Sequence, residues 1–376
     1  MKRLMYFFII VSLFSCSKNE NGNFIFERTW KDGQATDIII SSDTMYVVAG
    51  EAEGSPFIIK VNRSGSRIFE YLPGVNGAFN SLLEDTSGYY AAGHSNGDIL
   101  VSRINHQGEE EWSALLNVPI DVSKAVIRPE GEDSFLVCGS AHIDSSGASV
   151  FSLFSVDRTG TVSGEELADP GYNVTVNDFV INSSGNIYAA LAKSADGSKS
   201  RASVAEMTKS GDILWENELY NNSKFAAACQ VIKIYDNGDI FVAGKTELNI
   251  DDNTLENSFL ATLDPGGDVK MKKYLESSNI GVDISFDDFD RAHMLNRNCF
   301  IINIINNISA QVEEMDETLI RTFAVCDPYA TDSYGSAIKI TAGDNYLLCG
   351  SQSGKVYYAL RKGDTGSGDL IGDTVE

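Results

Sequence analysis

Short apolar runs alternate with polar turns along the whole chain, and one run recurs. A five-residue block, two or three bulky apolar positions followed by a small residue and usually Gly, stands at Tyr46–Gly50, Tyr89–Gly93, Phe135–Gly139, Ile187–Leu191, Ile240–Gly244 and Tyr346–Gly350, with a degenerate copy at Phe300–Ile304. Such short runs, rich in β-branched and aromatic residues and bounded by turn residues, predict strands rather than helices. Before the blocks lie segments such as Asp85-Thr-Ser-Gly88, Asn182-Ser-Ser-Gly185 and Asp236-Asn-Gly-Asp239. Gly, Asn and Asp tolerate the positive φ of tight hairpins, so each turn joins an earlier apolar strand, such as Ile38–Ile40 or Val231–Ile232, to its block. After the block a third strand ends in a second turn closed by Gly65, Gly108, Gly160, Gly211 or Gly267. A fourth strand then carries a bulky residue four positions past that glycine, at Phe69, Trp112, Trp215 and Met271, while the third repeat has Gly164 there.

Four strands per repeat, recurring at intervals of 43 to 60 residues, predict an all-β, seven-bladed β-propeller of four-stranded antiparallel blades. A repeat of this size cannot bury its apolar face alone and must stack on its neighbours. Phe24–Trp30 has the character of a fourth strand with no first three before it, and the seventh repeat reaches only Val356–Leu360. The N-terminal strand is therefore expected to close the last blade, removing an exposed sheet edge. The expected organisation is a signal peptide over 1–15, a lipidated tether over 16–23, the propeller over 24–362 and a flexible tail over 363–376.

Lys2 and Arg3 precede an apolar run from Leu4 to Phe14 that is too short to span a bilayer and reads as an export signal. Leu13-Phe14-Ser15-Cys16 resembles the lipobox of bacterial lipoproteins, which implies lipidation of Cys16, and Ser17 after it suits an outer-membrane destination, on either the periplasmic or the surface side. With 53 acidic against 29 basic residues the formal net charge is −24. A surface of that sign repels phosphate backbones and anionic headgroups, which argues against a nucleic-acid partner and leaves the lipid as the attachment to the membrane. Cys138 and Cys349 fall where other blocks have alanine, and with long spacings and no CxxC pair the cysteines after Cys16 read as buried thiols.

The blade pattern, best seen in Gly211-Asp-Ile-Leu-Trp215 and Gly108-Glu-Glu-Glu-Trp112, resembles bacterial propellers of the quinoprotein-like and delta-60-like kinds. The resemblance implies blade geometry and no particular activity. Relatives of that type include an outer-membrane lipoprotein propeller that assists insertion of barrel proteins, so an assembly role is one alternative.

No phosphate loop, HExxH, GxSxG elbow or calcium-loop motif is present, and His94, His106, His142 and His293 are isolated in the sequence. No catalytic residue, metal or cofactor is expected. Asp283, Asp287, Asp288 and Asp290 cluster ahead of the sixth block and read as a solvated connection. A second alternative, an enzyme acting on polysaccharide, would use carboxylates at the channel mouth as acid and base. Irregular loops between second and third strands gather on one rim, where the connections between blades add Trp30, Tyr71, Tyr172, Tyr220, Tyr329 and Tyr334. Those rings either stack on a ligand or plug the spaces between blades. At the start of each first strand stands a polar residue, Asp37, Asn80, Lys124, Asn177, Gln230, Asp290 or Ser336, and first strands line the channel of a propeller. These seven are expected to ring its mouth and bind a ligand there, or else to cap strand ends. The leading expectation is a lipid-anchored, non-catalytic binding or scaffold module that takes a glycan or a protein.

Overall fold

The computed structural model describes residues 24–118, 121–141, 151–168, 173–194, 199–220, 226–235, 237–250, 253–275, 281–286, 292–296, 302–305, 320–323, 333–342 and 345–362. Cys16, Tyr172, Asp290 and Tyr329 lie outside the described residues, as do the signal, tether and tail segments. Among the described residues the regular secondary structure is entirely β.

Five sheets contain four antiparallel strands each. They are β5 (Ala78–Glu84) to β8 (Glu110–Leu116), β9 (Val122–Pro129) to β12 (Val162–Ala168), β13 (Asn173–Ile181) to β16 (Ile213–Tyr220), β17 (Ala227–Ile234) to β20 (Val269–Leu275), and β21 (Gly281–Phe286) to β24 (Ile320–Phe323). A sixth sheet has seven strands, in the order β25 (Ser333–Thr341), β26 (Asn345–Gln352), β27 (Lys355–Arg361), β1 (Phe24–Ile40), β2 (Tyr46–Ala52), β3 (Ser55–Val61) and β4 (Arg67–Tyr71). The sequence suggests two strands where β1 runs as one. Its first half, Phe24 to Asp32, pairs with β27, and its second half, Gly33 to Ile40, pairs with β2. Gly33, at φ 141°, sits where the partner changes and lies so close to the Glu51 carbonyl that a side chain would collide with it.

The sixth repeat also differs from expectation. Its second strand is β22 (Ala292–Asn296), and the degenerate block at 300–304 instead leads into the third strand, β23 (Ile302–Ile305). Asn296 stands in register where other blocks end in Gly, which hides the strand from a search for the block.

Apolar clusters fill the spaces between neighbouring sheets. Tyr90, Ile99 and Val101 of the second repeat pack on Val122, Ile127 and Phe154 of the third. In the same way Phe26, Tyr46, Val48 and Phe57 pack on Leu347, Cys349, Val356 and Tyr358, joining the two ends of the chain. The described cysteines Cys138, Cys229 and Cys349 are buried free thiols inside such clusters, and burial pushes all three thiols up.

In the first, second and fourth repeats the bulky residue of the fourth strand docks on the turn glycine of the next repeat. A Cβ on Gly108 would lie 2.5 Å from Phe69, on Gly160 2.8 Å from Trp112, and on Gly267 2.7 Å from Trp215. Phe26 of β1 holds the same place over Gly65, at 2.6 Å. These glycines have φ between 77° and 91°, so they supply both the left-handed turn and the seat for an aromatic ring. The inner strands β1, β5, β9, β13, β17, β21 and β25 lie beside one another in that order, with β25 returning to β1, and they surround a central channel.

Candidate functional site: the mouth of the central channel

A register shift recurs in the inner strands. One residue is left over in the ladder at Thr36, Asn80, Asn177, Gln230, Val282 and Ser336. A bulge of this kind re-aims the side chain that it carries, and all six line the channel cavity. In β9 the shift comes between the partners of Ser140 and Ala141, and that strand presents Lys124 to the same cavity. Of the polar ring expected from sequence, Asp37, Asn80, Lys124, Asn177, Gln230 and Ser336 therefore meet around one space. In β21 the corresponding places belong to Val282 and Asp283.

One step deeper, three carboxylates act as clasps between sheets. Asp37 accepts hydrogen bonds from the amides of Ile38 and of Leu82 in the next repeat, both at 2.8 Å. Asp178 does the same with Phe179 and Ile232, and Asp283 with Ile284 and Ile338. Each carboxylate thus satisfies one amide of its own strand and one of its neighbour. Asp283, expected in a solvated connection, is instead only 7% exposed. The reason is that Ile284 and the Asp283 carboxylate belong to an inner strand whose bulge at Val282 shifts the in-out phase.

Deeper still, cations join the wall. Arg128 pairs with Asp178 at 2.5 Å, while Lys339 and Lys233 approach Asp283 at 3.4 and 3.6 Å. Burial would raise the Asp283 carboxyl, but Lys339 and Lys233 outweigh it and hold it below the ordinary carboxylate range. Asp37 behaves in the opposite way. Burial raises its carboxyl, and the more distant Lys339 only partly compensates. Lys124 has its ammonium pulled below the ordinary lysine range by burial, with Asp178 offsetting only part of that effect. The residue is half-buried, lining a channel that is open to water.

The deeper space has a volume of about 220 Å³, and it continues into a mouth of about 230 Å³ lined by Gln34, Thr36, Asn80, Lys124, Gln230, Lys245 and Ser336 among others. Arg128, Lys233, Lys339 and Lys245 were not singled out from sequence. A charged residue held between two isoleucines in an inner strand, as in Ile232-Lys-Ile234 and Ile338-Lys-Ile340, is the signal that finds two of them.

The rim aromatics are largely occupied. Trp30 is half-buried, meets Phe57 edge-on at 5.2 Å and has Lys31 and Arg67 over its ring. Tyr220, 7% exposed, lies 4.6 Å from the Phe259 ring with Lys272 over it, so it plugs the space between sheets. The Tyr71 hydroxyl donates to Glu110, and burial with that hydrogen bond pushes it up to about 12. Tyr334 remains exposed. His94 is half-buried beside Asn80, and burial lowers its pKa. Among the described residues no group of three or more His, Cys, Asp or Glu is placed to hold a metal ion.

No family model and no curated protein matches the sequence. Solved structures do match the fold. The WD40 domain of Neurospora crassa Pan2 superposes with a TM-score of 0.60 at 12% identity, covering 92% of this chain and 96% of that one. Virginiamycin B lyase from Staphylococcus aureus gives 0.60 at 12% identity over 89% of this chain and 98% of its own. YCF48 in complex with a D1 peptide gives 0.53 at 11% identity over 89% and 94%. At such low identity these likenesses speak to architecture and not to activity. Antiparallel sheets arranged around a channel, clasped through their inner strands and matched over nearly the whole length of these structures, make this chain a β-propeller.

Proposed function

We propose that this propeller is a non-catalytic binding or scaffold module that takes a glycan or protein at the mouth of its channel. The observation that carries this reading is the convergence of Asn80, Lys124, Gln230 and Ser336 on one open cavity. Lys245 of β18 (Ile240–Ile250), which pairs with β19 (Asn253–Leu263) in a long hairpin, also lines that cavity. The YCF48 structure, with its bound D1 peptide, is an example of a propeller used for binding. The three described channel carboxylates each spend their oxygens on backbone amides, which disfavours the glycosidase alternative, since that chemistry needs a free acid and base.

Seven blades are the reading that best fits the sheets. β1 serves as the outer strand of the last blade and the inner strand of the first, and Phe26 takes the aromatic seat that Phe69 and Trp112 take elsewhere. The domain spans 24–362, with a lipid on Cys16 holding it to the outer membrane. Fractionation of cells carrying Cys16→Ser tests the anchor, which predicts release of the protein from the membrane. The binding role is tested by glycan-array and peptide-array screening of the parent beside the Asn80→Ala, Gln230→Ala double variant. Retained binding to the parent's hits by a correctly folded double variant would place the site elsewhere.

A further inference from the structure

The hydrogen-bonding groups at the mouth are not a neutral mixture. Asn80 has its amide oxygen engaged by the Ala125 N–H at 3.1 Å, so its NH₂ is the part left to face the cavity. Ser336 accepts from the Gln34 side chain at 2.8 Å, which leaves its hydroxyl hydrogen to be donated. Thr36, by contrast, spends its hydroxyl on the Phe79 carbonyl, and Asn177 spends its NH₂ on the Cys229 carbonyl. Lys124 forms no hydrogen bond or ion pair with any described residue, although it lines both parts of the channel. What remains at the mouth is an ammonium with an amide NH₂ and a hydroxyl, all donors, and the Gln230 amide beside them.

Charge points the same way. The chain carries 53 acidic and 29 basic residues, yet the described channel walls hold Lys124, Arg128, Lys233, Lys339 and Lys245 against Asp37, Asp178 and Asp283. Two of those carboxylates are paired with wall cations, and the third is held by two backbone amides. Among the described residues the channel walls thus reverse the sign of the molecule, and Lys124 is a cation there with no hydrogen bond or ion pair of its own. An ammonium half-buried in the channel, with carboxylates near it but none in an ion pair, is stabilised by an anion that brings its own charge. Donors left without acceptors select an oxyanion over a neutral polyol.

We propose that the mouth of the channel binds the carboxylate of a small ligand, with Lys124 as its counter-ion and Asn80, Ser336 and Gln230 as hydrogen-bond donors. This deepens the binding-module reading and rests on it. The mouth volume of about 230 Å³ accommodates a free organic acid or the uronate residue of an acidic glycan. Both present the same carboxylate.

Isothermal titration of the full-length protein in detergent, at low ionic strength, with sodium acetate, sodium glucuronate and glucose separates these cases. Glucuronate is expected to bind and glucose to bind at least about ten-fold more weakly, since hydrogen bonds to a charged oxygen are stronger than those to a neutral hydroxyl. Acetate equal to glucuronate assigns the site to free acids, and acetate much weaker assigns it to uronates. Lys124→Met is expected to weaken the tightest of these anions about ten-fold or more. Lys124→Arg should restore part of that affinity, and Lys355→Met, at the exposed pair with Asp32, should change nothing. Equal affinity for glucose and glucuronate, no measurable binding of either anion, or full affinity in a folded Lys124→Met variant would overturn the carboxylate site. The array screen decides the wider reading independently, because hits lost in the Asn80→Ala, Gln230→Ala variant but kept in Lys124→Met would leave a binding mouth without an oxyanion preference.

Discussion

Two lysines in the interior of this propeller are used in opposite ways. Lys60, 4% exposed near the tight-turn end, is bonded to Asp43 at 2.5 Å and lies over the Tyr89 ring. Burial would lower its pKa, but the hydrogen bonds with Asp43 and Tyr89 outweigh it and hold the ammonium above the ordinary lysine range. Lys124, at the mouth, has no such partner among the described residues, and its pKa falls. The ends of the molecule that carry them differ in the same sense. At the turn end Asn62, Asn105, Asp157, Asn182 and Asp264 each accept two or more backbone amides within their own turn. There polar side chains are consumed in making the fold, whereas at the mouth several are left over. A group that the architecture does not need is available for a ligand.

The largest test of this contrast removes the strand that joins the chain ends. Deleting residues 24–32 takes Phe26 from the cluster with Tyr46 and Tyr358 and leaves β27 with an open edge. Aggregation or loss of a cooperative thermal transition is expected, read by size exclusion and calorimetry. A monomeric deletion variant with the parent's stability would contradict the pairing.

Next in size is the clasp. Asp178→Ala leaves Arg128 without its partner and the Ile232 amide without an acceptor, and it should cost about 3 kcal/mol in denaturant unfolding. A smaller effect separates backbone strain from aromatic seating at the turn end. Gly160 and Gly185 close similar turns with φ of 83° and 84°, but Trp112 covers only Gly160, and Gly185 has open space around its Cβ position. Gly185→Ala should cost about 1 kcal/mol for the left-handed conformation alone, and Gly160→Ala about 2–3 kcal/mol because the indole must also move. Equal costs would mean that the docked ring does not fix the turn.

Most of the architecture was legible because that seating leaves a trace in the sequence. A glycine followed four residues later by Trp or Phe marks where one repeat's ring meets the next repeat's turn. The sixth repeat is hidden because Asn296 takes the place of the terminal glycine of its block, so the block pattern points to 300–304 instead. The channel was only half legible. A bulge adds one residue to an inner strand, so counting back from the block found Asn177 and missed Asp178, the residue that clasps the next blade. Rim rings such as Tyr220 could not be told from interblade plugs, since both uses put an aromatic residue at the end of an outer strand.

The pH dependence follows from the clasp. The Asp283 pKa is depressed below its unfolded value near 3.8, so its contribution to stability is complete above that value and is lost as pH falls through the folded pKa. Asp283→Asn should therefore lower stability at neutral pH by more than it does once the pH has fallen through the folded pKa, narrowing the gap between variant and parent on acidification. A gap that stays constant across that range would contradict the ion pairs with Lys339 and Lys233.

The smallest expected change is also the most direct test of the difference between the two ends. Thermal unfolding of Lys124→Met without ligand should occur at or slightly above the parent's temperature, because a half-buried ammonium that makes no hydrogen bond or ion pair with the described residues adds nothing to the fold and loses part of its hydration. A fall as large as that of Asp178→Ala would mean that Lys124 is part of the scaffold and that the mouth is not held open for a ligand.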